Sequence, residues 1–256
     1  MHASAAKPLI RPVPLMLVLL GISALVILWL GEFTNVDLQL ADATYDFSKH
    51  VFPLQHAWFA ERLNHEILKQ VMTVAAVVVV VLALYDKWRP FASWGWERRM
   101  GVRVVAMSAA LVPLVISLLK RASSSHCPWD VQRYGGDAPY IRLLELMPDG
   151  IAAGHCLPGG HASSVLWLIS LSAFWWPRHP RKALAVAIVM LAFSFGVGWI
   201  QQLRGAHFLT HTLWSSWIAC ALVFVIYQLN TKVLAKLPDI SYSSVPRNAT
   251  AATAAE

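Results

Sequence analysis

The chain has 256 residues, 57% of them hydrophobic and only 14% charged, with 12 tryptophans and a formal net charge of +7. Soluble domains carry about 25% charged residues, so this balance excludes an ordinary water-soluble globule and points to lipid as the solvent. Nor does the positive charge mark a nucleic-acid binder, because it is spread over short segments between apolar runs rather than gathered in one patch.

A helix that crosses a bilayer needs roughly 20 apolar residues. Six stretches meet or approach that length: Pro14–Gly31, Ile67–Tyr85, Val102–Leu119, His161–Trp176, Ala183–Ile200 and Phe208–Leu229. The first begins with Lys7 and Arg11, as a secretory signal would. No small-x-small cleavage site follows "LWLGEF", however, and the segment reads as a retained span. The expected fold class is therefore all-α, a bundle of six transmembrane helices forming one domain over residues 1–256.

Orientation follows from the loops. Lys7 and Arg11 precede the first span, Lys87, Arg89, Arg98 and Arg99 follow the second, Arg178, Arg181 and Lys182 follow the fourth, and Lys232, Lys236 and Arg247 follow the sixth. Short basic loops stay cytoplasmic, which puts residues 1–13 and the small, polar tail 237–256 in the cytoplasm, the tail disordered. The opposite face receives residues 32–66, where "HAWFAERLNHEILKQ" reads as an interfacial helix leading into the second span, and the long segment 120–160.

Three polar clusters fall on that opposite face: "KRASSSHCPWDVQRYGG" (120–136), "GHCLPGGHASS" (154–164) and "QQLRGAHFLTH" (201–211). Ionisable residues at the end of an apolar span are functional suspects, although Lys and Arg also reach from such places to lipid headgroups. Histidine is less suited to that, and five of the ten histidines collect here: His126, His155, His161, His207 and His211. Pro158-Gly159-Gly160 can turn so that successive N–H groups converge on an anion, and a helix starting near His161 adds its own free N–H groups. A phosphate suits that place, with His161 beside it to protonate a leaving oxygen. Arg204, His207 and His211 are spaced to share one helical face. Arg204 offers a planar fork of donors to phosphate, His207 can attack phosphorus, and His211 can hold the other ring nitrogen of His207.

These residues resemble the type 2 phosphatidic acid phosphatase superfamily, over Lys120 to Ser215 by motif and over the whole chain by helix count. Its membrane members have six helices and three extracytoplasmic motifs: Lys, six residues, Arg-Pro; Pro-Ser-Gly-His; and Ser-Arg, five residues, His, three residues, Asp. In the first motif Lys120 and Pro128 match, and Cys127 replaces arginine. In the second Pro158, Gly160 and His161 match, and Gly159 replaces serine. In the third His207 takes the nucleophile position, His211 the aspartate position, and Gln201 the arginine position, with Arg204 one turn closer.

The resemblance implies metal-independent hydrolysis of a phosphate monoester or pyrophosphate on a membrane lipid, of the lipid A, undecaprenyl pyrophosphate or phosphatidylglycerol phosphate type. The reaction would run through a phosphohistidine on His207, oriented by His211, with His161 protonating the departing lipid. Lys120, Arg204 and the Gly159–Gly160 backbone would hold phosphate, and Arg121, Arg133 or Arg142 would stand in for the missing arginine. The site would face the periplasm of a bacterial inner membrane. Because His211 brings no negative charge, Asp130 or Asp137 is a candidate to supply one; a phosphotransferase, or a weakened protein that binds or transports a lipid phosphate, is the alternative reading. His207 and His211 also have the spacing of a helical metal pair, and His126-Cys127 with His155-Cys156 invite a zinc reading. The reading adopted takes no metal and no cofactor. In an oxidising compartment Cys127 and Cys156 pair more naturally as a disulfide that ties the first motif loop to the second. The partners expected are the lipid phosphate and the bilayer, and the sequence is silent on oligomeric state.

Overall fold

A computed structural model describes residues 12–234, except for the side chains of Pro12, His65, His161, Ala162 and residues 232–234. The tail 237–256 and all but the last two residues of the 1–13 segment lie outside the described residues. The described chain is helical, and no strand forms in it beyond two isolated bridges, Asp46 with Val51 and Val131 with Ala138.

Among the described residues, five helices are long and apolar enough to cross a membrane. Helix α1 (Pro12–Phe33) is followed by a short α2 (Val36–Asp42). A π-helical segment, Phe59–Ile67, runs without a break into α3 (Leu68–Trp88). Helix α4 is Trp96–Ala122, α6 is Pro180–Leu203 and α7 is Leu209–Leu234. The "HAWFAERLNHEILKQ" stretch thus extends the second span rather than lying apart from it. Its buried residues Ala60 and Asn64 face α6, where the Asn64 amide donates to the Val197 carbonyl at 3.1 Å.

The expected fourth span takes a different form. It is α5 (Gly160–Leu166), seven residues long, continued by eight residues of 3-10 helix, Trp167–Phe174. Rising about 2.0 Å per residue in its 3-10 part and 1.5 Å in its α part, it reaches about 26 Å. That falls short of the roughly 30 Å hydrocarbon core of a bilayer. The physical reason lies in its surroundings: Val165, Leu166, Trp167, Ile169 and Ser170 are all buried by protein. A segment wrapped by other helices does not need to match the membrane's thickness itself.

This central segment forms the core with α4 and α7, through Val105, Val112, Ile116, Leu166, Trp167, Ala219 and Val223. Outside it, α1 packs chiefly along α7, where the Trp217 indole donates to the Leu20 carbonyl at 2.8 Å. One end of the bundle carries the basic loops, joined by Arg178 to Glu97 at 2.6 Å and by Arg99 to the buried Asp86 at 3.7 Å.

The other end carries the three polar clusters under a cap built from residues 36–58 and 123–159. Tyr45, Phe52, Val131, Tyr134 and Phe208 make the cap's own apolar core. Arg142 locks it to the bundle by donating to the Gly31 and Thr34 carbonyls at the end of α1, at 2.8 and 2.6 Å, satisfying acceptors that a helix end leaves open.

Candidate active site

The polar clusters meet because α4 and α6 end, and α5 and α7 begin, at the same end of the bundle. Lys120 is on the last turn of α4, half-buried. Gly160 opens α5 beneath it: a Cβ at Gly160 would lie 3.4 Å from Lys120 Cδ and 3.6 Å from its Nζ. Gly159 abuts the α7 side. Its N–H donates to the His211 carbonyl at 3.1 Å, and the Ser215 hydroxyl reaches both the Gly159 carbonyl (3.0 Å) and the His211 carbonyl (2.9 Å). A Cβ at Gly159 would stand 3.5 Å from His207 Cδ2, an ordinary contact. The family serine would therefore fit, and its replacement by glycine removes a hydroxyl without relieving a clash.

His207 sits in the turn between α6 and α7 and is buried. The turn is shaped by Gly205, whose φ of +74° favours glycine, and a side chain there would collide with Phe52, whose ring atoms come within 2.4 Å of an added Cβ. The His207 Nδ1 lies 3.3 Å from Sγ of Cys156, which is disulfide-bonded to Cys127. His211, expected at that nitrogen, instead sets its ring edge-on to that of His207 at a centroid distance of 5.7 Å, and its own buried Nδ1 has no hydrogen-bond partner among the described residues. His161 stands on the first turn of α5.

Arg204 is held away from the role expected of it. It is buried; its Nε donates to the Gln55 carbonyl at 3.0 Å, one terminal nitrogen donates to Gln201 Oε1 at 3.2 Å, and the other lies 3.7 Å from Glu61. Burial lowers its affinity for a proton and Glu61 opposes that. Gln201, in the family's arginine position, is thus a support for Arg204. Arg133 pairs through two 2.7 Å bonds with Asp42, which draws the carboxyl below its ordinary range. Arg142 is engaged at the end of α1. Arg121 is exposed next to Lys120 and has no ion pair among the described residues.

The carboxylates fall differently from expectation too. Asp130 accepts from the backbone N–H of Cys127 at 3.3 Å. The buried acid near the histidines is Asp37 of α2, which sequence reading missed. It accepts from the Thr210 N–H (2.9 Å) and hydroxyl (2.5 Å), capping the first turn of α7 from outside. It lines one small cavity with His211 and another with His207. Burial raises its pKa from 3.8, against the opposing pull of Thr210 and Arg142. As for metal chemistry, ligand atoms of Cys127, Cys156 and His207 lie within 4.8 Å of one another, but the two sulfurs are bonded to each other.

From Lys120 and Gly160 a cavity of about 540 Å³ runs between α3 and α4. Its mouth is polar, with Lys69, Lys120, Ser163 and Ser164, and its depth apolar, with Met72, Val77, Val80, Ala109 and Trp167. From Lys120 to Ala109 it follows α4 for about 16 Å. Pro113 lies along the wall, where it interrupts the helix's hydrogen bonding. Ligand cavities commonly measure 300–1,000 Å³. Lys69, the second residue of α3, was legible only as a cation at the edge of an apolar run.

Compared with known proteins, residues 101–234 match the family model described as the PAP2 superfamily. No curated protein and no solved structure matches the chain.

Proposed function

The chain belongs to the PAP2 superfamily, whose members are phosphatases and phosphotransferases acting on phosphate esters, and from that premise we propose that it hydrolyses a phosphate ester of a membrane lipid, through a phosphohistidine on His207. The observation that carries the lipid is the cavity, a polar mouth beside Lys120 leading to an apolar depth between two membrane-length helices.

In this reading the phosphate rests between His207, the Gly159–Gly160 turn and Lys120. Nε2 of His207 attacks phosphorus, the bond from phosphorus to the lipid oxygen breaks, and the electron pair stays on that oxygen, which takes a proton from His161. Water then attacks the phosphohistidine, the P–N bond breaks and inorganic phosphate leaves. Lys120 offsets the charge that builds on the phosphoryl oxygens. Arg204, whose donors are engaged by Gln55, Gln201 and Glu61, holds the turn that carries His207. The site faces the periplasmic side of a bacterial inner membrane, since the basic loops gather at the other end.

One observation favours a second reading, binding without turnover. The acid that steadies the nucleophile in comparable triads is worth orders of magnitude in rate, and here Nδ1 of His207 faces a disulfide sulfur. The test is phosphate release by the purified protein in detergent with EDTA, on a panel of lipid phosphates, beside His207→Ala. Release that survives EDTA and disappears in the variant supports hydrolysis. No release from any lipid, with tight lipid-phosphate binding, supports the second reading.

A further inference from the structure

We propose that Lys69 is a second cation of this site and that the headgroup it selects carries a second phosphate, so that the preferred substrate is a lipid diphosphate cleaved between its two phosphorus atoms. The proposal rests on the hydrolytic reading above and narrows its substrate.

The structure arranges the relevant groups in order. His207 lies against Gly159, Lys120 lies over Gly160, and Lys69 faces Lys120 across the mouth of the cavity. Both side chains line that one cavity, where a positive charge on either disfavours the other. Neither lysine has an ion pair or a side-chain hydrogen bond among the described residues, whereas Arg133, Arg142 and Arg204 are all tied to protein acceptors. The nearest acid in sequence, Glu66, pairs with Arg62 at 3.6 Å instead. Two like charges at the mouth of an apolar cavity repel, and an anion between them is favoured for that reason.

A single phosphate at His207 engages Lys120 and leaves Lys69 facing the point where the chain enters the apolar depth. A diphosphate places its terminal phosphorus at His207 and its inner phosphate between Lys120 and Lys69. Nε2 of His207 attacks the terminal phosphorus, and the bond from that phosphorus to the bridging oxygen breaks. The lipid monophosphate leaves with the electron pair on its oxygen, beside both lysines. No alcohol has to be expelled, so the charge on the leaving group is met by the two cations already there.

The test compares a long-chain polyprenyl diphosphate with the matching monophosphate, in the full chain and in Lys69→Met, Lys69→Gln and Lys69→Arg. The readout is the ratio of kcat/KM for the two substrates. The wild type should prefer the diphosphate, and both neutral variants should lower the ratio by about tenfold or more, the effect of losing one charged contact. Lys69→Arg should hold most of it. A ratio unmoved in the neutral variants, or a wild type that prefers the monophosphate, overturns the assignment of Lys69 while leaving the hydrolytic reading standing. If the wild type releases phosphate from neither lipid, the hydrolytic reading fails, and this proposal with it. Two neutral variants of different shape, each checked by thermal unfolding, separate loss of charge from loss of folding.

Discussion

Nδ1 of His207 lies 3.3 Å from Sγ of Cys156, so the disulfide to Cys127 is both a tie between two loops and part of the wall that packs the candidate nucleophile. Its partners are 29 residues apart, and closing a loop of that size stabilises the folded state by about 3.6 kcal/mol. Cys127→Ser/Cys156→Ser should therefore lower the thermal midpoint and lower phosphate release together. Adding a reductant to the wild type should reproduce both effects, while Cys220→Ser, a change to the unpaired cysteine on α7, should reproduce neither. Unfolding curves and release assays on the same samples check this.

Arg204 tests whether a buried cation at the site holds substrate or holds protein. Its contacts with Gln55, Gln201 and Glu61 bind the segment before α3 to the turn that carries His207. Arg204→Ala leaves the Gln201 side chain buried without that partner, and the loss should be about 2–4 kcal/mol. Hydrogen exchange should rise across residues 52–61 before any lipid is added. Arg204→Lys should recover little, because one ammonium cannot serve three separated acceptors. A rise in KM with no change in exchange would instead put Arg204 on the phosphate.

What the sequence made legible follows from what lipid demands. A helix facing hydrocarbon must be apolar whatever packs behind it, so α1, α3, α4, α6 and α7 announce themselves by composition. The fourth segment announces itself as apolar too, but not its short, partly 3-10 form, because Leu166, Trp167 and Ile169 are buried by protein and hydropathy does not set the length of a helix surrounded by others. At the candidate site, Lys120, Gly159, Gly160 and His207 were read from motif spacing, which records local geometry. The partners of Arg204 and Arg133 were not, since Gln55 and Asp42 lie far away in the chain. Asp37 has no sequence relation to Thr210, 173 residues on. Lys69 alone looks like any cation at a membrane edge, and only the packing of α3 against α4 gives it a neighbour.

The pH dependence of stability should carry two opposite contributions from α2. Asp42 has its pKa lowered, first by its hydrogen bonds to Arg133. It stabilises the fold above its ordinary 3.8, and that contribution is lost as pH falls through the lower folded value. The pair is partly exposed, so the effect should not exceed about 1 kcal/mol. Asp37 has its pKa raised by burial. Its folded state binds the proton more tightly than the unfolded one, so its contribution is full below 3.8 and is lost as pH rises through the raised value. Thermal midpoints measured from pH 3 to pH 8 should show Asp37→Asn gaining on the wild type as pH rises, and Asp42→Asn falling further behind it over the same interval. Parallel curves for Asp37→Asn and the wild type would mean that the buried carboxyl does not change its charge in this range.

The cavity between α3 and α4 gives a test of the lipid that does not touch the polar residues. Ala110 lines it about three turns below Lys120, where a tryptophan side chain would occupy space that the proposed reading assigns to a lipid chain. Ala110→Trp should lower kcat/KM for a long-chain lipid phosphate by about tenfold or more, since several buried methylenes at about 0.8 kcal/mol each are displaced. A short-chain, water-soluble phosphate ester ends above Ala110, and its kcat/KM should change little. The ratio between the two substrates is the measurement, because it cancels any general loss of active protein. Ser117→Trp, nearer the mouth, should depress both substrates, since the headgroup and the chain pass the same point. If Ala110→Trp lowers both substrates equally, the cavity is a packing defect between two helices, and the lipid chain lies elsewhere, on the membrane-facing surface of the bundle.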